Sequence, residues 1–144
     1  MKLNVETIHH VGLVVRDREA AERFYVDVLG LERVPTRPSW LRLNATHAIH
    51  IIPLGSGEDE PRHHRYRHVA LQVADLRPVL HLLLERGLRV FQTGFDGVEK
   101  EVTSRDDPLG FGIGSIFVRD PDGNLIEFLQ LGHGIFADRT GDEI

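Results

Sequence analysis

The sequence contains no cysteine, so neither disulfides nor thiolate chemistry can contribute. It has no run approaching the ~20 apolar residues that a membrane span needs. Its first ten residues, Met1 to His10, hold no apolar stretch of signal-peptide length. These absences lead us to expect a cytoplasmic protein with no membrane partner. A basic stripe interleaved with aromatics is also missing, and the net charge is -5, so nucleic acid is not an expected partner. At 144 residues the chain should form a single domain, residues 1–144, long enough to bury a sizeable core.

What is present is a duplication. His10-Val11-Gly12-Leu13-Val14-Val15 is echoed 58 residues later by His68-Val69-Ala70-Leu71-Gln72-Val73. Ala48-Ile49-His50-Ile51-Ile52-Pro53-Leu54-Gly55 is echoed 77 residues later by Leu125-Ile126-Glu127-Phe128-Leu129-Gln130-Leu131-Gly132. In each half one potential metal ligand opens the first segment, and another stands five residues before the glycine of a Leu-Gly pair.

Each half reads as strand, helix, then three strands. In module one (about 6–55), Ile8 to Val15 is rich in β-branched residues. Asp17 is placed to cap a helix running to about Leu29, with Ala20, Ala21, Phe24, Tyr25, Val28 and Leu29 on one apolar face. Gly30 is its expected stop. Leu31–Val34, Trp40–Leu43 and His47–Pro53 read as strands. In module two (about 67–132), His68–Val73 is the strand and Asp75 the cap. Pro78 falls within the first helical turn, where proline is tolerated, and Gly87 is the stop. Leu88–Thr93, about Val98–Ser104, Ser115–Val118 and Asn124–Leu131 supply strands. Asp120-Pro121-Asp122-Gly123 is a turn signal. A polar linker, about 56–66, should join the modules, and residues 133–144 form a polar tail. Thr93 to Gly114 is a glycine-rich insertion without a counterpart in module one, placed to act as a lid.

Alternate residues of a strand share a face. His10, Gly12 and Val14 therefore point together, as do His68, Ala70 and Gln72. His50 shares a face with Ile52, and Glu127 with Leu125 and Leu129. If the sheet curls, all four ligands can converge, with the small Gly12 and Ala70 leaving room for a substrate. Imidazoles plus a carboxylate suit one divalent ion: Ni, Zn, Co, Mn or Fe. With His50 neutral, the site carries a formal charge of about +1, which favours an anionic ligand. His9 should face away from His10, and His47 is out of phase with His50. Neither is given a ligand role, nor are His63, His64, His81 and His133.

These features resemble the vicinal oxygen chelate superfamily, which includes glyoxalase I, fosfomycin and bleomycin resistance proteins, methylmalonyl-CoA epimerase and extradiol dioxygenases. The resemblance spans about Ile8 to Leu131. It rests on His9–Val15, Phe24–Leu31, Arg67–Val73 and Asp120–Phe128. It implies an α+β fold in which two βαβββ modules form a U-shaped mixed sheet around a metal site. It places metal ligands at His10, His68 and Glu127, with His50 fourth. It also implies a homodimer, and a small-molecule substrate that chelates the metal through neighbouring oxygens so that an enediolate is stabilised.

Departures from the family's branches narrow the reading. Glyoxalase I has glutamate where this chain has His50, arginine where it has Val14, and asparagine where it has Leu54. Glutathione as substrate is therefore not expected. Phe117 stands nearest to the tyrosine of the extradiol dioxygenases and cannot donate its hydrogen bond. The first expectation is a metal-dependent lyase or isomerase of the glyoxalase type. In it Glu127 acts as general base, His50 shares that task, and Arg42 and Arg105 bind substrate anions. The alternatives are Fe(II) or Mn(II) dioxygenation of a catechol-like substrate, and a non-catalytic antibiotic-binding resistance protein.

Overall fold

Strand β1 (His10–Val15) buries Leu13 and Val15 and leaves His10 and Gly12 exposed, as the two-residue period of a strand requires. Asp17 then leaves the strand in an extended conformation and accepts a hydrogen bond from the Ala20 amide at 3.0 Å. This satisfies one of the first-turn donors that a helix leaves unpaired. The helix α1 (Arg18–Glu22) passes directly into a π-helical segment, Arg23–Val28. A bond from Leu29 N to Phe24 O closes that wider turn. Gly30, at φ +78°, ends it in the left-handed conformation that glycine adopts without steric cost.

The computed structural model describes residues 6–55, 67–93, 97–107, 114–134 and 137. The expected linker with its His63 and His64, residues 94–96 and 108–113 of the expected lid, and most of the tail lie outside these residues. The chain divides into two compact units, Met1–Arg62 and His63–Ile144.

In the first unit β1, β2 (Glu32–Arg33), β3 (Trp40–Arg42) and β4 (Ala48–Pro53) form a sheet in the order β1-β4-β3-β2. β1 runs parallel to β4, and the other two pairings are antiparallel. Leu13, Val15, Leu41, Ile49 and Ile51 are buried with Ala21, Phe24 and Tyr25 of the helical segment. Burial of each large side chain contributes about 1.5–3 kcal/mol. The helix packs on β4. The opposite face carries His10, Gly12, Val14, His50, Ile52, Trp40 and Arg42.

The second unit repeats the plan. β5 (His68–Gln72) is followed by α2 (Leu76–Glu85), whose cap Asp75 accepts from the Arg77 amide. β6 (Phe91–Thr93), β7 (Glu99–Glu101), β8 (Ser115–Arg119) and β9 (Leu125–Leu129) complete a sheet in the order β5-β9-β8-β6-β7. The parallel pair is now β5 with β9. β7 is the addition: it pairs with β6 at the sheet edge. Leu76, Leu80 and Leu83 of α2 are buried, as are Ile116, Val118, Ile126 and Phe128 of the sheet, and α2 packs on β8.

The turn between β8 and β9 fixes the register that matters for the site. Asp120 is buried; its Oδ1 accepts from the amides of Asp122 and Asn124, and its Oδ2 from the Asn124 side chain. Gly123 takes φ +86°. With this connection pinned, Phe117 lies opposite Glu127.

The βαβββ plan expected from the sequence is thus present in both units, in an α+β fold with mixed sheets. Several strands are shorter than expected: β2 and β7 keep only Glu32–Arg33 and Glu99–Glu101. Among the described residues no helix is long and apolar enough to cross a membrane.

Candidate functional site

The two parallel strand pairs position their polar residues by the same rule. On β1 and β4, Gly12, two residues after His10, lies opposite His50. On β5 and β9, Ala70, two residues after His68, lies opposite Glu127. Residues paired across a ladder share a face. Each unit therefore presents two of the predicted ligands diagonally across a backbone hydrogen-bonded strand pair.

In the first unit the rings of His10 and His50 have centroids 6.2 Å apart. Trp40 lies against both: its indole stacks on His50 at 4.6 Å and 16°, and meets His10 at 4.5 Å. His9 Nδ1 is 2.9 Å from His10 Nδ1, close enough for one proton to be shared between them. With that proton on His10, its Nε2 keeps a lone pair, the tautomer a metal ligand requires, and His9 fixes the ring. His9 therefore does not turn away from His10 as strand alternation suggested. It precedes the first residue of β1, so the two-residue period does not govern it. His47 also precedes its strand. It is held by Thr46, Asn44 and Thr7 rather than near a ligand.

In the second unit His68 Nε2 lies 3.0 Å from Glu127 Oε2. Glu127 is 6% exposed, while the His68 side chain retains 37% of its surface. Phe117 meets His68 edge-on at 6.0 Å and stacks on Phe91 at 6.0 Å. With Leu125, these rings form a dry cluster beside the carboxylate. Farther along this sheet, Arg89 and Arg119 both bind Glu99, at 2.6 and 2.5 Å, and lie over the Phe91 ring. Burial alone would raise the Glu99 carboxyl, but the hydrogen bonds from Arg89 and Arg119 outweigh it and hold the group below its ordinary value.

Two ligands at about 2.1 Å from one metal and at right angles stand about 3.0 Å apart, whereas a tetrahedral angle separates them by about 3.4 Å. The His68–Glu127 separation of 3.0 Å is that of a hydrogen-bonded pair and is also the spacing of neighbouring ligands on an octahedral ion. A buried carboxylate facing an imidazole is also the donor chemistry such ions take. The residues fit a divalent metal. Among the described residues no three His, Asp or Glu side chains gather as a metal site; the predicted ligands stand as two separate pairs, His10 with His50 and His68 with Glu127.

Arg42 lies on the same face as Trp40 and next to Ala48, and among the described residues its nearest carboxylate is Glu32 at 4.0 Å. Arg105 is engaged by Glu85 of α2, not by a group on the strands that bear His68 and Glu127. Sequence spacing also marks the aromatic partners of His50 and Glu127. Trp40 stands ten residues before His50, and Phe117 ten before Glu127, each directly opposite its ligand across an antiparallel ladder.

A family model for the Glyoxalase/Bleomycin resistance protein/Dioxygenase superfamily matches residues 7–128. The chain belongs to this superfamily. Among solved structures it is similar to the oxidase ChaP-H2, at 20% identity and a TM-score of 0.65, covering 91% of this chain and 98% of that one. It is similar to TnmS3, an antibiotic binding protein from Streptomyces sp. CB03234, at 21% identity and a TM-score of 0.61, covering 90% and 98%. It also resembles lactoylglutathione lyase from Agrobacterium tumefaciens, at 20% identity and a TM-score of 0.57, covering 88% and 94%. At these identities the similarity establishes the fold. No curated protein matches the sequence.

Proposed function

We propose that this superfamily member is a divalent-metal-dependent enzyme with lyase or isomerase chemistry on a small molecule bearing neighbouring oxygen donors. His10, His50, His68 and Glu127 are the proposed ligands. The observation that carries this reading is the 3.0 Å approach of His68 Nε2 to a Glu127 carboxylate that is almost fully buried. A carboxylate is costly to bury without a strong partner. A structural strand in this position would carry an apolar residue, as Leu125 does on the same face.

When bound, the ion acts as a Lewis acid toward substrate oxygens. The residues divide the remaining tasks. Glu127 Oε2 is the proposed proton acceptor. Its position beside Phe117 and Phe91 keeps water from competing for the proton and strengthens its electrostatics. His50, clamped by Trp40, is held in one orientation and shares the proton-transfer role. Gly12 leaves a shallow floor, closed at one side by Ile52, whose Cδ1 is 3.0 Å from where a Cβ would stand.

Metal content by plasma mass spectrometry, on untagged protein purified without chelator, tests the proposal. About one Ni, Co, Zn or Mn per chain is the expected result, with binding lost in Glu127→Ala. One Fe per chain with oxygen consumption would replace this reading with dioxygenase chemistry. No metal after reconstitution with each ion would replace it with a ligand-binding protein.

A further inference from the structure

The first unit contains a second feature that the metal ligands do not use. A cleft of about 280 Å³ runs beside β3, lined by Arg37, Trp40, Arg42, Asn44, His47 and neighbouring residues. Among the described residues no aspartate or glutamate lines it, although the chain as a whole carries a charge of -5. The cleft is thus a local reversal of sign: two guanidiniums, of Arg37 and Arg42, in an otherwise acidic protein.

Its walls are built rather than incidental. Arg37 belongs to a tight turn in which Arg37 N donates to Val34 O and Trp40 N to Arg37 O. Within it Ser39 takes φ +73°, a left-handed conformation uncommon for a residue with a side chain. Such strain persists only where surrounding structure enforces it, and it gathers at binding sites. Here the Ser39 carbonyl accepts from Ile51 N at 2.7 Å, and the turn places Arg37 over the Trp40 ring at 5.7 Å. The other wall is held by Asn44, whose Oδ1 accepts from the amides of Thr46 and His47.

The donors are available. Among the described residues Arg37 has no carboxylate partner, and the single acid near Arg42 is Glu32, at the 4.0 Å limit and itself 77% exposed. Exposed pairs of that kind contribute about 0–1 kcal/mol and yield readily to a better-placed anion. Guanidinium groups suit planar oxyanions because their N–H donors match both oxygens at once. The Trp40 indole beside Arg37 supplies an apolar wall, and its other ring neighbours are His50, His10 and His9.

We propose that this cleft binds the carboxylate of a small planar anion, with Arg37 and Arg42 as donors and Trp40 as an apolar wall. Trp40 is shared between the cleft and the His10–His50 pair, so the rest of such a molecule lies beside those imidazoles. The substrate class that follows is a carboxylic acid carrying further oxygen donors. That last step rests on the metal-enzyme reading; the affinity of the cleft for anions does not.

The test uses chelator-treated protein, benzoate as probe and benzamide as its neutral counterpart. Binding is read by calorimetry and by the fluorescence of Trp40, the single tryptophan of the chain. Benzoate is expected to bind, to weaken with added salt, and to weaken about tenfold or more in R37Q/R42Q, the loss expected of charge-assisted hydrogen bonds. R37K/R42K should retain part of the affinity and the salt dependence, since charge remains and the fork is lost. Equal binding of benzamide, no binding of benzoate at low salt, or undiminished binding in a folded R37Q/R42Q would overturn the proposal. If R37Q/R42Q does not fold, the benzoate–benzamide comparison on the unaltered protein and the lysine pair decide the matter. A protein that binds benzoate but no metal would keep the cleft and lose the metal enzyme; the reverse result would do the opposite.

Discussion

Replacing Glu127 by glutamine preserves the length of the side chain and its reach to His68, but removes the negative charge. The neutral amide can still hydrogen-bond the imidazole across the 3.0 Å gap, so the metal-free variant should lie within about 1 kcal/mol of the parent in stability. The metal-loaded comparison should differ sharply. A ligand present at 100 times its dissociation constant stabilises a protein by about 2.7 kcal/mol. At 144 residues each kcal/mol moves the thermal midpoint by about 3–5 °C, so metal should raise that of the parent by about 8–14 °C. Altering a group that only supports a ligand costs about 10–100-fold in metal affinity, and a group that binds the ion directly should lose at least about 100-fold. At the same metal concentration the variant then gains only about 0.4 kcal/mol, or about 1–2 °C. Differential scanning fluorimetry with Ni, Co, Zn, Mn and Fe(II), with and without chelator, measures both shifts. An equal metal-induced shift in parent and variant would show that Glu127 is not a ligand. A variant markedly less stable than the parent without metal would show that its charge serves the fold instead.

Two further expectations concern the frame around the site. Gly114 takes φ +83°, and a Cβ there would stand 2.2 Å from the His133 carbonyl oxygen. Gly114→Ala should therefore destabilise by about 2–4 kcal/mol in thermal or chemical unfolding, more than Gly87→Ala, which meets only the left-handed backbone penalty of about 1–2 kcal/mol with open space around it. Equal losses would mean that the close approach to His133 relaxes freely. At acid pH the depressed carboxyl of Glu99 gives a signed expectation. Its stabilisation is complete above the ordinary glutamate value of about 4.3 and is lost as pH falls through the lower folded value. Glu99→Gln should accordingly flatten the acid limb of a denaturation-midpoint-against-pH profile, and an unchanged limb would remove Glu99 as its source.

The fold was legible because period and punctuation agree. Asp17 and Asp75 cap helices where expected, Gly30 and Gly87 end them with positive φ, and the Asp120 turn joins β8 to β9. The π-helical segment was not legible. Ala21, Phe24, Tyr25 and Val28 fit one apolar face whether the turn holds three or four intervening residues, and only the Leu29–Phe24 bond distinguishes the two. Strand alternation placed His10, His50, His68 and Glu127 on their faces correctly but failed for His9, because that rule stops where the ladder stops. Arg105 illustrates a different blind spot: its partner Glu85 is 20 residues away on a helix, and no local pattern announces such a pair. Trp40 went unread because its relation to His50 is a cross-strand one, visible in sequence only as a spacing that recurs at Phe117 and Glu127.

The chain departs from β1 and comes back as β4 by way of one helical segment and two strands. It departs from β5 and comes back as β9 by way of a helix and three. Each excursion begins and ends on neighbouring strands whose mutual alignment is held by their own peptide groups. Insertions and deletions in an excursion therefore leave the diagonal relation between His10 and His50, or between His68 and Glu127, untouched. The added strand β7 is one such insertion already accepted. In descent, then, the polar pairs and the surfaces around them are free to change at different rates: a lineage can acquire a new cleft wall, such as the turn bearing Arg37, without disturbing the donors it inherited.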